Sequence, residues 1–219
     1  VTATVPLRRQ PSGAYLYDVA GVTPYAETLA LMEQLGGARS QGAVPDTLIL
    51  CEHEPTVTLG VSTDEAADLP ARTALEARGI EVVAVDRGGR ATYHGPGQLV
   101  GYPILDLTDY GRDLRAYVER IERALVDALA DLGVPAEVRP GSEFVGVWTT
   151  TGAKIASIGI HVSRWITTHG FAVNLSGDLE PFALFVPCGL TDASFTSVER
   201  ETGRTLTREV ATAAGLARL

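Results

Sequence analysis

Cysteine and lysine are both scarce in this chain, and the first scarcity already excludes something. Two cysteines, Cys51 and Cys188, are too few for a disulfide framework in 219 residues, so stability must come from an ordinary core. No run approaches the roughly 18 consecutive apolar residues of a membrane span, so no membrane partner is expected. The first residues, Val1–Gln10, carry Arg8–Arg9 with no apolar stretch behind them. No export signal is read there, and a cytoplasmic location is expected. Basic residues are outnumbered, 18 against 27 acidic, for a formal charge of −9. That balance opposes the phosphate contacts on which nucleic-acid binding rests. The four histidines, His53, His94, His161 and His169, form no H-E-x-x-H, and no C-x-x-C pair accompanies them. No metal and no cofactor are therefore expected.

What remains is ordinary globular composition, 45% apolar and 21% charged, without repeats, low-complexity tracts or a linker. One domain over 1–219 is expected. Within it, seventeen of the eighteen basic residues are arginine, and the one lysine is Lys154. A general codon or thermal bias could leave one lysine by chance. The alternative is that this position needs what arginine cannot do, which is release its proton.

Periodicity places the elements. Thr23 as N-cap, Pro24, and an apolar stripe of Tyr25, Leu29, Met32 and Leu35 predict a helix that stops at Gly36–Gly37. Leu114, Val118, Ile121, Leu125, Leu129 and Leu132 share one face of a second helix, closed by Gly133 and Pro135. Thr47–Cys51, Thr56–Gly60, Ile80–Asp86 and Gln98–Leu107 are β-branched runs bounded by Gly or Pro and read as strands. Phe144–Thr149, Lys154–Val162 and Thr168–Asn174 suggest an antiparallel meander. Thr196–Glu201 and Thr207–Leu219 read as helices opened by threonine. The sum is an α/β fold of the α+β type, a mixed sheet with helices packed on one side; the spacing does not suit regular βαβ alternation.

Three segments carry chemistry. Arg87-Gly88-Gly89-Arg90-Ala91-Thr92-Tyr93-His94-Gly95-Pro96-Gly97-Gln98 puts four glycines and a proline behind a strand, which lets backbone approach a ligand closely. A pair of turns would have similar composition, and neither the Walker loop nor G-x-G-x-x-G matches. In Gly152-Ala153-Lys154-Ile155-Ala156-Ser157-Ile158-Gly159, strand alternation predicts Lys154, Ala156 and Ile158 on one face, with small neighbours that bury the lysine stem. In Pro187-Cys188-Gly189, a thiol sits in a shaped turn where Gly189 would leave room for substrate beside the sulfur. Cys51 ends an apolar run and reads as core. His94 and His169 are expected in pocket walls, His53 in a structural role.

Taken together, these motifs resemble the lipoyl(octanoyl) transferase family, the lipoate-protein-ligase B type. The matching pieces are R-G-G-x-x-T-Y-H-G-P-G-Q at Arg87–Gln98, G-x-K-I-A-x-I-G at Gly152–Gly159, H-G-F-A-x-N-L at His169–Leu175 and P-C-G at Pro187–Gly189. Glu52-His53-x-Pro55 and Thr58-Leu59-Gly60 also fit, and His161 stands where an arginine would be expected. The resemblance, from about residue 14 to 203, implies a fold like the catalytic domain of biotin/lipoyl protein ligases. It implies transfer of octanoyl from octanoyl-acyl carrier protein to a lysine of lipoyl domains, those of 2-oxoacid dehydrogenase complexes and the glycine cleavage H protein. Cys188 would carry the acyl group as a thioester, and Lys154 would stabilise the thiolate and then take the acceptor's proton. Arg87, Gly88, Gly89, Arg90, Ala91, Thr92, Tyr93 and His94 would line the substrate pocket. Ser157, Ile158 and Gly159, with Gly170, Phe171 and Ala172, would contact the acyl chain or its carbonyl. Acidic partner proteins would need a local basic rim, for which Arg87, Arg90, Arg139 and Arg164 are the candidates.

Three rivals follow from the same residues. An ATP-dependent lipoate or biotin ligase would share the fold and a strand lysine but has no use for a nucleophilic cysteine. A non-catalytic acyl-binding or carrier-docking protein would leave the thiol incidental. An amidotransferase moving octanoyl between protein lysines differs in its donor alone.

Overall fold

The structure, a computed structural model, describes residues 8–9, 13–190 and 193–213. Most of the segment read for an export signal, 1–7 and 10, and the end of the last predicted helix, 214–219, lie outside these residues.

In chain order the elements are β1 (Arg8–Arg9), β2 (Tyr15–Thr23), α1 (Tyr25–Ser40), β3 (Thr47–His53), β4 (Thr56–Leu59), α2 (Glu65–Asp68), α3 (Arg72–Ala77), β5 (Glu81–Ala84), β6 (Thr92–His94) and β7 (Gln98–Ile104). They continue with α4 (Leu114–Asp131), β8 (Ala136–Glu137), β9 (Gly146–Thr149), β10 (Lys154–Ser163), β11 (Ile166–Asn174), α5 (Val198–Thr202) and α6 (Arg208–Ala213). Eight strands form one sheet in the order β1-β2-β3-β7-β11-β10-β9-β8, and three form a smaller one, β5-β4-β6. Both sheets are mixed: β2–β3 and β4–β5 are parallel, the remaining pairs antiparallel. The predicted meander is β9-β10-β11.

Helices cover both faces of the large sheet, not one. Along β3, Leu48 and Leu50 join the cluster built on Ile121, Leu125 and Leu129 of α4. Ile49 and Cys51 join the cluster around Met32 of α1. The period-2 alternation of a strand sends successive side chains into two different cores. This is why Thr47–Cys51 is apolar almost throughout rather than alternating.

The helix ends are set by different groups from those predicted. Pro24, not Thr23, precedes the first turn of α1, and no side chain caps it; Thr23 ends β2, and its hydroxyl donates to the Glu52 carbonyl at 3.2 Å. The helix passes through Gly36–Gly37 to Ser40, although glycine costs about 1 kcal/mol in a helix interior. A Cβ at Gly36 would stand 3.4 Å from Thr168 Cγ2 of β11, an ordinary contact, and nothing in the structure explains the glycine pair. Ser197 rather than Thr196 caps α5, accepting from the Arg200 N–H at 3.3 Å, while the Thr196 hydroxyl donates to Glu201. The α4 boundaries follow the expectation, with Asp113 as an added cap.

The small sheet is two-faced. Val57, Leu59, Ala91 and Tyr93 pack with Leu75, Phe182 and Phe185 in a third core. Thr56, Thr58, Thr92 and His94 alternate to the other side. That polar face and the α1-side face of the large sheet enclose the cavity described next.

Candidate active site

A cavity of about 310 Å³ lies between the two sheets, and Cys188 and Lys154 both line it. Cys188 occupies a 3-10 turn over Pro187–Gly189 with φ 57° and ψ 15°, the left-handed region that a residue with a Cβ enters at a cost of about 1–2 kcal/mol. The turn is held from three directions. The Cys188 N–H donates to the Ala91 carbonyl at 2.8 Å, the Val186 N–H to the Asp68 carbonyl at 2.7 Å, and the Leu190 N–H to the Pro187 carbonyl at 3.0 Å. Gly189 lines the cavity beside the sulfur, and its bareness also accommodates Arg90: a Cβ there would fall 2.6 Å from Arg90 Cδ. Arg90 in turn grips the buried Asp68 with Nε at 2.8 Å and Nη2 at 2.7 Å, a two-pronged pair that suits guanidinium and carboxylate.

Lys154 is 1% exposed. Its Nζ donates to the Val145 carbonyl at 3.0 Å and to Cys188 Sγ at 3.4 Å, and lies 5.4 Å from the centre of the Trp148 ring. Its stem crosses Gly146, where a Cβ would meet Lys154 Cε at 2.8 Å and the Ala156 carbonyl oxygen at 2.5 Å. Buried Glu122 of α4 accepts the Gly146 N–H at 3.1 Å and fixes that segment. The lysine does not share a face with Ala156 as predicted. A bulge between Lys154 and Ala156 resets the phase. Ile155 and Ala156 enter the α4 core, and Lys154 lines the cavity together with Ser157, Ile158 and Gly159.

Of the glycine-rich segment, Arg87, Gly89, Arg90, Thr92 and His94 line the cavity. Gly88, Ala91 and Tyr93, expected there, do not. Gly88 donates its N–H to the Ile160 carbonyl, and Ala91 and Tyr93 face the third core. Gly170, Phe171 and Ala172 of β11 line the opposite wall with His169. Arg87 is not part of a basic rim: it is buried and donates to the Thr58 hydroxyl and carbonyl at 2.8 and 2.7 Å and to the Gly88 carbonyl at 3.1 Å. Arg139 stacks on Trp148 with its guanidinium 4.6 Å from the ring centre. Arg164 is exposed at the β10–β11 turn, away from this cavity, with φ 50°.

Exposure grades along the cavity. Ser142 and Glu143 are exposed and Cys188, Gly189 and Leu190 partly so, whereas Tyr25, His94, Tyr102 and His169 are buried. The first group marks the mouth, and the rings line the buried part. Sequence reasoning missed Tyr25 and Tyr102, which sit on α1 and β7 and meet the site only through tertiary packing. Each ring is held: Tyr102 donates to His53 Nε2 at 2.7 Å, His94 Nδ1 donates to Gln98 Oε1 at 2.8 Å, and His169 Nε2 pairs with Asp86 at 2.7 Å. Burial pushes His53 down to about 4 and holds His94 well below the usual histidine range, so both are neutral at pH 7. His161 binds the Asp86 carbonyl through Nδ1 at 3.1 Å. Cys51 is fully buried, and burial pushes its thiol far up. Among the described residues no group of three or more His, Cys, Asp or Glu side chains could hold a metal ion, and no helix is long and apolar enough to cross a membrane.

Residues 24–218 match the family described as the lipoyl protein ligase A/B catalytic domain. The octanoyltransferase of Solibacter usitatus is 49% identical over 171 residues, 78% of this chain and 76% of that protein. The octanoyltransferase of Geobacter sulfurreducens is 46% identical over 199 residues, 91% and 80% of the two chains. Among solved structures, lipoate-protein ligase A bound with ATP superposes with a TM-score of 0.72 at 17% identity, covering 92% of this chain and 82% of that one. A structure from the bipartite lipoate protein ligase system of Thermoplasma acidophilum gives 0.67 at 19%, covering 92% and 80%. At such identities the likeness concerns the fold.

Proposed function

The chain belongs to the lipoyl protein ligase A/B catalytic-domain family and is an acyltransferase, and from this premise we propose that it moves an octanoyl group from octanoyl-acyl carrier protein to a lysine of lipoyl domains through a thioester on Cys188. The acceptors are the lipoyl domains of 2-oxoacid dehydrogenase complexes and the glycine cleavage H protein, and the setting is the cytoplasm. The observation that carries the reading is the Lys154 Nζ–Cys188 Sγ contact of 3.4 Å in the wall of the cavity between the two sheets.

The ammonium of Lys154 stabilises the Cys188 thiolate, which is the nucleophilic form. Sulfur attacks the carrier thioester, the new C–S bond replaces the old one, and the departing pantetheine thiolate takes the proton from Lys154. The two thioesters are close in free energy, so this half is nearly balanced. The acceptor amine then attacks the acyl-enzyme, gives its proton to the now neutral Lys154, and expels the Cys188 thiolate. An amide is left, and the starting ion pair is restored. Arginine at 154 could perform the first role only, which gives the solitary lysine its reason.

Intact-protein mass spectrometry after mixing with octanoyl-acyl carrier protein, without ATP, tests the proposal. A gain of one octanoyl group that Cys188→Ala does not show is the expected result. No adduct, with turnover appearing once free octanoate and ATP are supplied, would instead support an adenylating ligase.

A further inference from the structure

We propose that the side-chain hydroxyl of Thr92 is a catalytic hydrogen-bond donor to the acyl carbonyl oxygen, stabilising the negative charge that develops there in both transfers. The proposal rests on the thioester reading above. Attack on a thioester turns the carbonyl oxygen into an oxyanion, and a donor fixed at that position favours the transition state.

The usual donors near such a nucleophile are already committed here. The amide of Cys188 itself is bound by the Ala91 carbonyl at 2.8 Å; those of Gly189 and Leu190 are directed at the Val186 and Pro187 carbonyls at 3.4 and 3.0 Å. Lys154 Nζ is divided between Val145 and the sulfur. With these groups committed, a side chain of the cavity wall can supply the donor. Thr92 follows Ala91 directly, so its side chain stands one residue from the carbonyl that grips Cys188. It lines the cavity and is 6% exposed.

Its neighbours on that wall are all satisfied. Thr58, its cross-strand partner, takes Arg87, and His94 takes Gln98. Among the described residues, Thr92 Oγ1 is the one buried side-chain oxygen or nitrogen lining this cavity that has no hydrogen-bond partner within the protein. Its hydroxyl is thus committed to no other side chain or backbone group and is free to serve a group that arrives with the substrate. In the transfer itself Thr92 exchanges no proton: Sγ–C forms, the carbonyl oxygen gains charge and is held by the hydroxyl, and C–S to the carrier breaks as the double bond returns.

The test compares wild type, T92V, T92A and T92S. The rate of octanoyl adduct formation is read by quench-flow mass spectrometry, alongside the donor half-saturation concentration, the alkylation rate of Cys188 by iodoacetamide and the melting temperature. T92V should slow adduct formation by about 10²-fold, as loss of one oxyanion donor does, with half-saturation and alkylation unchanged and melting no lower. T92S should recover most of the rate. If T92V does not fold, T92A and T92S differ by the hydroxyl alone and give the same comparison. Adduct formation by T92V at the wild-type rate overturns the proposal, and so does an equal fall in alkylation, which would mean the side chain only positions Cys188. Should wild type itself gain no octanoyl on Cys188, the transfer reading fails first.

Discussion

Substituting Lys154 separates the two halves of the reaction. The Lys154 ammonium makes two contacts, to the Val145 carbonyl at 3.0 Å and to Cys188 Sγ at 3.4 Å. Lys154→Met keeps an unbranched stem over Gly146 but removes both. A hydrogen bond to a charged group contributes about 1.5–3 kcal/mol, so acylation should fall roughly 10- to 150-fold. Lys154→Arg keeps the charge. Its larger head must fit where Lys154 is 1% exposed beside Trp148, a strain of about 1–3 kcal/mol. Acylation by this variant should stay within about tenfold of wild type, because the permanent cation still faces the sulfur and the departing pantetheine thiolate, a good leaving group, can take its proton from solvent instead. Its second half should fail, since guanidinium cannot take the acceptor's proton, and loss of a general base costs about 10²–10⁴-fold. Rapid mixing with octanoyl-acyl carrier protein, followed by a chase with lipoyl domain, reads both rates by mass. Lys154→Arg should accumulate acyl-enzyme that the chase leaves in place. Release at the wild-type rate, or identical acylation by the Met and Arg variants, would refute the assignment of two roles to one amine.

Three further outcomes are expected. Arg90→Ala strands the buried Asp68 carboxylate and should cost about 2 kcal/mol, less than a fully buried pair because Arg90 is 35% exposed; urea unfolding measures it, and slower Cys188 alkylation should accompany it. Below pH 6.5 the unfolded chain protonates the histidine corresponding to His53 before the folded protein does at about 4. The stability tied to neutral His53 is therefore whole above pH 6.5 and lost as pH falls through 4, roughly 3 kcal/mol in all, and a His53→Gln variant should show a flatter profile in the same unfolding series. Shortening the acyl chain from octanoyl to hexanoyl should weaken donor binding by about fourfold per methylene, from about 0.8 kcal/mol each; equal half-saturation for both donors would place the chain outside the cavity.

Much of the architecture was legible because local signals and packing agree. The Leu114–Leu132 stripe, closed by Gly133, needed nothing beyond helical spacing, and the meander needed only strand runs and short turns. Cys188 and Lys154 could be singled out by rarity and setting. What failed depends on partners far away in sequence. Alternation misplaced Lys154 because one bulge moves every later side chain, and a bulge leaves no mark in composition. Arg90 looked like a rim charge because its partner, Asp68, lies 22 residues earlier. Arg87 looked exposed because arginines usually are, and only Thr58 across the small sheet shows otherwise. Helices on both faces could have been suspected from Thr47–Cys51, whose unbroken apolar run is what a strand between two cores requires.

The two thiols also give the protein a built-in count of its competent molecules. Cys51 is sealed beside His53 at 3.4 Å with its thiol pushed up by burial, while Cys188 is partly open to solvent. A thiol reagent applied to native protein therefore titrates Cys188 alone, and after unfolding it titrates both. The ratio of the two readings is one half for a fully folded sample with free nucleophile. Acylated or oxidised Cys188 lowers it, and misfolded chains raise it, so the direction of departure from one half tells which fault dominates a sample.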